Sequence, residues 1–251
     1  MISSNRISVI RALAMSAIKL AKAPVIVAAI ILTAMMPAAA ELDDALTAAG
    51  WDEITFDDKP TNQFSAILGT EGQVEGVELT ADESVSIAFF NLGTDLKAAP
   101  NLSWQWQVKT PIINTNITNK GGDDRSLVVY VAFPYQPEEA SFGEKLKRSA
   151  IEALKGKDTP GRLLSYVWAG GAKKGSVVEN PYTGEYGVYI FLRGPSASSG
   201  EWYEEKVDVR ADFIKAFGYE PAAPIYVAIG GDNDDTGKPI SASVRKIIFS
   251  E

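Results

Sequence analysis

Apolar and polar residues alternate with a period of two along much of the chain. Val85, Ile87 and Phe89 are interleaved with Ser84, Ser86 and Ala88, and Leu102, Trp104, Trp106 and Val108 with Ser103, Gln105 and Gln107. Successive side chains of an extended strand point to opposite sides, so each run predicts a strand with one apolar and one wet face. Leu127, Val129, Val131 and Phe133 repeat the pattern, but Val128 and Tyr130 fill the intervening places. That predicts a central strand, apolar on both faces. Further strands are predicted at 164–169, 187–193, 225–230 and 244–249. Shorter ones are predicted at 54–56 and 74–79, the latter weakened by Gly76 in its middle.

Two stretches change period. Between 141 and 155, Phe142, Leu146, Ala150, Ala153 and Leu154 fall on one helical face, and Glu144 with Arg148 offers an ionic pair at i,i+4. Between 208 and 217, Val209, Phe213, Ala216 and Phe217 share a stripe, with Gly218 as a stop. Residues 42–49 predict a short opening helix, ended by Gly50, after which Trp51 enters the body. Many short strands joined by Gly, Pro, Asn and Asp clusters predict a mostly β fold. The expected form is an antiparallel, jelly-roll-like β-sandwich with two short helical insertions.

The first forty residues do not belong to that pattern. They carry Arg6, Arg11, Lys19 and Lys22 and no acidic residue, then an apolar run at 23–36, then Pro37-Ala38-Ala39-Ala40 before Glu41. This positive, apolar, small-residue order is that of a secretory signal peptide. The apolar run is short of the roughly 20 residues that span a bilayer. Residues 1–40 are therefore expected to be a cleaved leader and 41–251 a single exported domain, periplasmic or extracellular, with no membrane span after cleavage. Four of the 24 basic residues fall in the leader, leaving 20 against 32 acidic ones, a net charge of −12. So acidic a surface excludes nucleic acid as an expected partner, because phosphate binding relies on Lys and Arg.

The chain has no cysteine and no histidine. Disulfides, Ser-His-Asp and Cys-His nucleophiles and histidine-bound zinc are all excluded. Carboxylates, Tyr, Lys and Arg remain for chemistry, and oxygen ligands remain for a hard cation.

Three groups are candidate sites. The first is aromatic, since sugar rings stack on Trp and Tyr while their hydroxyls need amide, carboxylate or guanidinium partners. Trp104 and Trp106 share a strand face with Leu102 and Val108, which predicts core. Tyr166 and Trp168 share one face of their strand, leaving core and cleft both open. Trp202 and Tyr203 follow the polar loop 195–200 and point to opposite sides, so one is expected exposed. Tyr182 lies in the loop Asn180-Pro-Tyr-Thr-Gly-Glu-Tyr186. The second group is Asp232-Asn-Asp-Asp-Thr-Gly237, in which Asp232, Asp234 and Thr236 could converge on Ca²⁺. Asx turns explain the same residues without a metal. The third is Gly121-Gly-Asp-Asp-Arg125, where Asp123 or Asp124 could pair with Arg125, Arg193 or Arg210, or grip hydroxyl groups. The expected ligand-binding set is Tyr166, Trp168, Asn180, Tyr182, Arg193, Trp202, Asp123 and Asp124. Glycoside hydrolysis needs two carboxylates at a set separation, and nothing in the spacing selects a pair.

Several landmarks occur together and in order: Leu102-Ser-Trp-Gln-Trp-Gln-Val108, Gly122-Asp-Asp-Arg125, Val128-Val-Tyr-Val131, Tyr166-Val-Trp-Ala169, Asn180-Pro-Tyr182, the stretch 202–217, and Asp232-Asn-Asp-Asp-Thr-Gly237. Through them the chain resembles the bacterial family termed domain of unknown function 3047. The resemblance implies export and a sandwich similar to carbohydrate-binding modules, and it supplies no catalytic positions. Gln105 stands where relatives tend to have Arg, and Val244-Arg-Lys-Ile-Ile replaces a Tyr-Gly-Asp-Ile type of ending. The leading expectation is a non-catalytic binding protein for polysaccharide or envelope glycan. The alternatives are a protein-interaction domain of the envelope and a carboxylate-based hydrolase or lyase.

Overall fold

The computed structural model describes residues 42–57, 59–155 and 159–251, so the leader read at 1–40 lies outside the described residues. In chain order the elements are α1 (Asp44–Ala48), β1 (Trp51–Thr55), β2 (Gln63–Leu68), β3 (Val74–Ala81), β4 (Val85–Asn91), β5 (Asn101–Val108), β6 (Arg125–Phe133), α2 (Phe142–Lys155), β7 (Arg162–Trp168), β8 (Val177–Asn180), β9 (Gly184–Arg193), β10 (Tyr203–Asp208), α3 (Val209–Phe217), β11 (Tyr226–Asp232) and β12 (Ile240–Ser250). The strands form a sandwich of a seven-stranded sheet, β1-β4-β11-β6-β7-β9-β8, and a five-stranded sheet, β10-β5-β12-β3-β2. The fold is mostly β, as the alternation predicts. Among the described residues no helix is long and apolar enough to cross a membrane.

One pair departs from the antiparallel expectation: β7 and β9 run parallel. The chain leaves β7, crosses to the sheet edge, lays down β8 there, and hairpins back so that β9 fits between β8 and β7. The central-strand reading of β6 is met in full, with all nine residues buried. Its Leu127, Val129, Val131 and Phe133 face the inter-sheet core, against Trp104, Trp106, Val77, Leu79 and Val244 from the other sheet. Val128 and Tyr130 face the other way, into a second apolar layer with Val167, Tyr189, Phe191 and Ala228. Ile117, from the connection between β5 and β6, joins that layer and covers the outer face of the seven-stranded sheet.

Gly76, which weakens the sequence signal for β3, is required there. A Cβ at this position would lie 2.3 Å from the carbonyl oxygen of Val244 on β12, so only glycine lets the two backbones approach. Beyond this point β12 is irregular, and Lys246 takes a positive φ of 54°.

The helices are fixed by local caps. Asp208 accepts from Ala211 N at the start of α3, and Gly218 (φ 84°) ends it, with Val209 and Phe213 buried as the stripe predicts. In α2 the expected Glu144–Arg148 pair does not form. Ser141 and Glu144 make a reciprocal capping box (2.8 and 3.2 Å), which turns Glu144 toward Arg162 at 2.6 Å. Arg148 bonds instead to Glu152 at 2.7 Å. Phe142 and Leu146 are 84% and 68% exposed rather than packed on the sandwich. The side chains of Ala150, Ala153 and Leu154 lie outside the described residues.

Candidate functional site

The sequence candidates separate into three places. Tyr166 and Trp168 are corrected to the core. Both are completely buried, and their rings pack across the sandwich at 5.5 Å from Trp104 and 5.4 Å from Trp106. Their strand face is the inner one, because register sets Tyr166 and Trp168 opposite Val129 and Leu127, the inward residues of β6. Tyr166 donates to Asp212 Oδ2 at 3.0 Å. Arg193 is also held inward. Its Nε donates at 2.5 Å to Glu205 Oε1, which also accepts from Trp106 Nε1 at 3.1 Å. The Arg193 guanidinium lies 3.9 Å from the centre of the Tyr203 ring. This chain of bonds ties β5, β9 and β10 together and engages Arg193 within the fold.

The second place is the outer face of the five-stranded sheet. Tyr203 packs edge-on against Trp168, so alternation turns its neighbour Trp202 outward, where it is 36% exposed. The Arg245 guanidinium stacks 4.0 Å from the Trp202 ring centre and holds the indole without covering it. Arg245 Nε donates to Gln105 Oε1 at 3.0 Å, and Gln105 Nε2 donates to Glu204 Oε2 at 3.4 Å. Register places Glu204, Gln105 and Arg245 side by side on β10, β5 and β12. The next row carries Gln107, Ser243 and Glu78. Arg245 and Gln107 were outside the sequence set. Their signal was the wet side of the Trp-Gln-Trp-Gln alternation, together with the Arg in the unusual chain ending.

The third place is an acidic corner beside β6 and β11. Tyr182, 51% exposed, donates from its hydroxyl to Asp123 Oδ1 at 2.5 Å and accepts from Gly121 N at 2.8 Å. Asn180 is buried, and its Oδ1 accepts from Tyr182 N at 2.9 Å, which shapes the turn. Asp124 is completely buried and accepts from Thr236 N at 2.7 Å and Asp235 N at 3.3 Å. Asp232 Oδ2 accepts from Arg125 Nη1 at 3.2 Å, and Arg125 also bonds the Tyr130 hydroxyl at 2.9 Å. Lys59 pairs with Asp234 Oδ2. Thr236, expected among the metal ligands, gives its backbone N–H to Asp124, while its hydroxyl accepts from Lys238 N at 3.4 Å. Asp124 takes its place beside Asp232 and Asp234, one oxygen of each lying within 4.8 Å of the others. That is tighter than the roughly 5–9.5 Å between the two carboxylates of glycoside hydrolysis.

The electrostatics of this corner follow its burial. Burial pushes the Asp232 carboxyl up to about 7, against the pull of Arg125 and with further help from Asp234. Burial also raises Asp234, but the hydrogen bond and charge of the Lys59 ammonium pull the other way, and that carboxyl lies below its usual range. Asp235 is pushed up by burial and by Asp234, Asp124 and Asp123.

Among solved structures, the chain is similar to the xyloglucanase domain of NopAA, a type three effector from Sinorhizobium fredii, in complex with cellobiose. Identity is 11%, the TM-score is 0.36, and the match covers 80% of this chain and 98% of that one. It is also similar to the K3 cleaved adhesin domain of Lys-gingipain from Porphyromonas gingivalis w83. Here identity is 11%, the TM-score is 0.29, and coverage is 78% and 91%. No curated protein matches the chain. The family model described as "Protein of unknown function (DUF3047)" matches residues 49–248, four-fifths of the chain's length and every landmark of the sandwich, and the chain belongs to that family.

Proposed function

We propose that this is an exported, non-catalytic binding protein that recognises carbohydrate on the outer face of its five-stranded sheet. The observation that carries the reading is Trp202, held outward by Arg245 at 4.0 Å and bordered by the amide and carboxylate row Gln105–Glu204. An indole offers a stacking surface to the C–H face of a sugar ring. The neighbouring amide, guanidinium and carboxylate supply donors and acceptors for its hydroxyl groups. Gln105, Glu204 and Arg245 sit on strands, and Trp202 immediately precedes β10 and is held by Arg245, so the surface is organised before a ligand arrives and little ordering entropy is lost on binding. Export is supported by the positive, apolar, small-residue order of residues 1–40.

The test is a screen of the purified protein on a broad array of bacterial and plant polysaccharides. A saturable hit is expected, lost in Trp202→Ala and weakened in Arg245→Ala while both variants unfold within a few degrees of the parent. Binding that survives Trp202→Ala would move the site elsewhere. Absence of any hit would remove the carbohydrate reading for the glycans tested.

A further inference from the structure

The acidic corner has more negative charge than the surrounding cations balance. Asp123, Asp124, Asp232, Asp234 and Asp235 crowd around Arg125 and Lys59. Asp232 and Arg125 face each other across β11 and β6, which brings Asp124 at the entrance of β6 next to the turn that bears Asp234. The turn is stapled there. Asn233 Nδ2 donates to Ala81 O and Lys238 O at 3.2 and 2.8 Å, its Oδ1 accepts from Ser84 N at 2.9 Å, and Gly237 N closes onto Asn233 O at 2.9 Å.

We propose that Asp124, Asp232 and Asp234 bind one calcium ion, in competition with the Lys59 ammonium. The donor set is all carboxylate oxygen, the chemistry of a hard cation. Oxygens on opposite sides of a calcium ion lie up to about 4.6–5.2 Å apart, given bonds of about 2.3–2.6 Å, and the three donor atoms fall within 4.8 Å of one another. The independent sign is Asp232 itself. It is 4% exposed, and its Oδ1 is buried without a hydrogen-bond partner, while its Oδ2 is held by Arg125. A buried carboxylate oxygen without a donor is costly, and a cation at the cluster supplies its partner. Lys59, with a side chain 45% exposed, lies on the solvent side of Asp234. Its single charge occupies the approach that an arriving ion would take.

The experiment is calorimetric titration of calcium into the full chain, with thermal unfolding in calcium and in chelator. No glycan is present, so the outcome is independent of the sheet-face reading. One ion per chain is expected, with a Kd on the order of 10⁻⁴ to 10⁻³ M and a rise in Tm that chelator reverses. Asp234→Asn changes the least buried of the three ligands and is expected to fold and to bind at least tenfold more weakly. Lys59→Met removes the competing ammonium and is expected to tighten calcium binding several-fold. Magnesium is expected to bind more weakly, because its bonds of about 2.0–2.1 Å demand a smaller cage. Four results would overturn the proposal: no heat or Tm shift at about 10 mM calcium, ten times the weaker expected Kd; unchanged affinity in Asp234→Asn; unchanged or weaker affinity in Lys59→Met; or magnesium binding as tight as calcium. The Lys59 variant retains all three ligands, so it keeps the test decisive should Asp234→Asn fail to fold.

Discussion

The two sheets bury the same kind of inner face and differ in their outer ones. On β6 of the seven-stranded sheet, the outward residues Val128 and Tyr130 lie in a second apolar layer roofed by Ile117. On β5 of the five-stranded sheet, the outward residues Ser103, Gln105 and Gln107 are only partly buried, and Arg245 and Trp202 lie beside them. The difference originates in the chain's connections. Ile117, in the segment that leads from β5 into β6, packs on the outer face of the seven-stranded sheet, whereas the outward rows of the five-stranded one are polar, with Gln107 beside Ser243 and Gln105 beside Arg245. A face sealed by its own chain is committed to stability. A face kept polar along its central strand contributes little to folding and is available to a partner.

The largest effect that sharpens this contrast comes from placing one charge on each outer face. Val128→Asp buries a carboxylate without a partner in an apolar layer, and it is expected to cost about 4 kcal/mol or more. Ser103→Asp, on the open face, is expected to stay within about 0.5 kcal/mol of the parent. Urea unfolding of the two variants measures both. Equal costs would mean that the five-stranded face is also covered in solution. Next in size is Trp106→Ala, which removes a fully buried indole and leaves Glu205 with one donor fewer. About 3–5 kcal/mol is expected from the same unfolding curves.

These contrasts were unevenly legible in the sequence. The central strands could be read because each has neighbours on both sides, so burial imposes a pattern on every residue: β6 reads as apolar on both faces, and β5 alternates cleanly. The edge strands β2, β8 and β10 could not. An edge has one neighbour and a mixed pattern, and Val177–Asn180 is only four residues long. The parallel β7–β9 pairing depends on where β8 is laid down, which no local period encodes. Trp104 and Trp106 were readable as core from their shared face with Leu102 and Val108. Tyr166 and Trp168 needed the position of β7 beside β6. At the acidic corner the turn 232–237 was visible, but its third carboxylate was not. Asp124 reaches it from a distant part of the chain through the pairing of β6 with β11, and spacing along the sequence carries no trace of that pairing.

Gly76 offers a smaller test, because it sits in the open sheet yet is closed off by backbone. Its hydrogen atoms lie where a Cβ would meet Val244 O at 2.3 Å, so Gly76→Ala must push β3 and β12 apart. About 1–3 kcal/mol is expected, read from the unfolding midpoint. A neutral result would show that the irregular stretch of β12 near Lys246 absorbs the displacement.

The change that bears most on function is Trp202→Ala, expected to cost less than Gly76→Ala. This indole contacts the Arg245 guanidinium and is more than a third exposed. Its removal forfeits one cation–π contact, about 0.5–1 kcal/mol at an exposed site. Arg245 keeps its bond to Gln105. A protein that keeps a tryptophan where it adds so little to folding has that surface free for other contacts. If Trp202→Ala instead costs as much as Trp106→Ala, Trp202 belongs to the structural framework, and the distinction between a sealed face and an open one fails at the residue on which it most depends. If the variant folds like the parent and loses glycan binding, stability and recognition are carried by opposite sides of the same five strands.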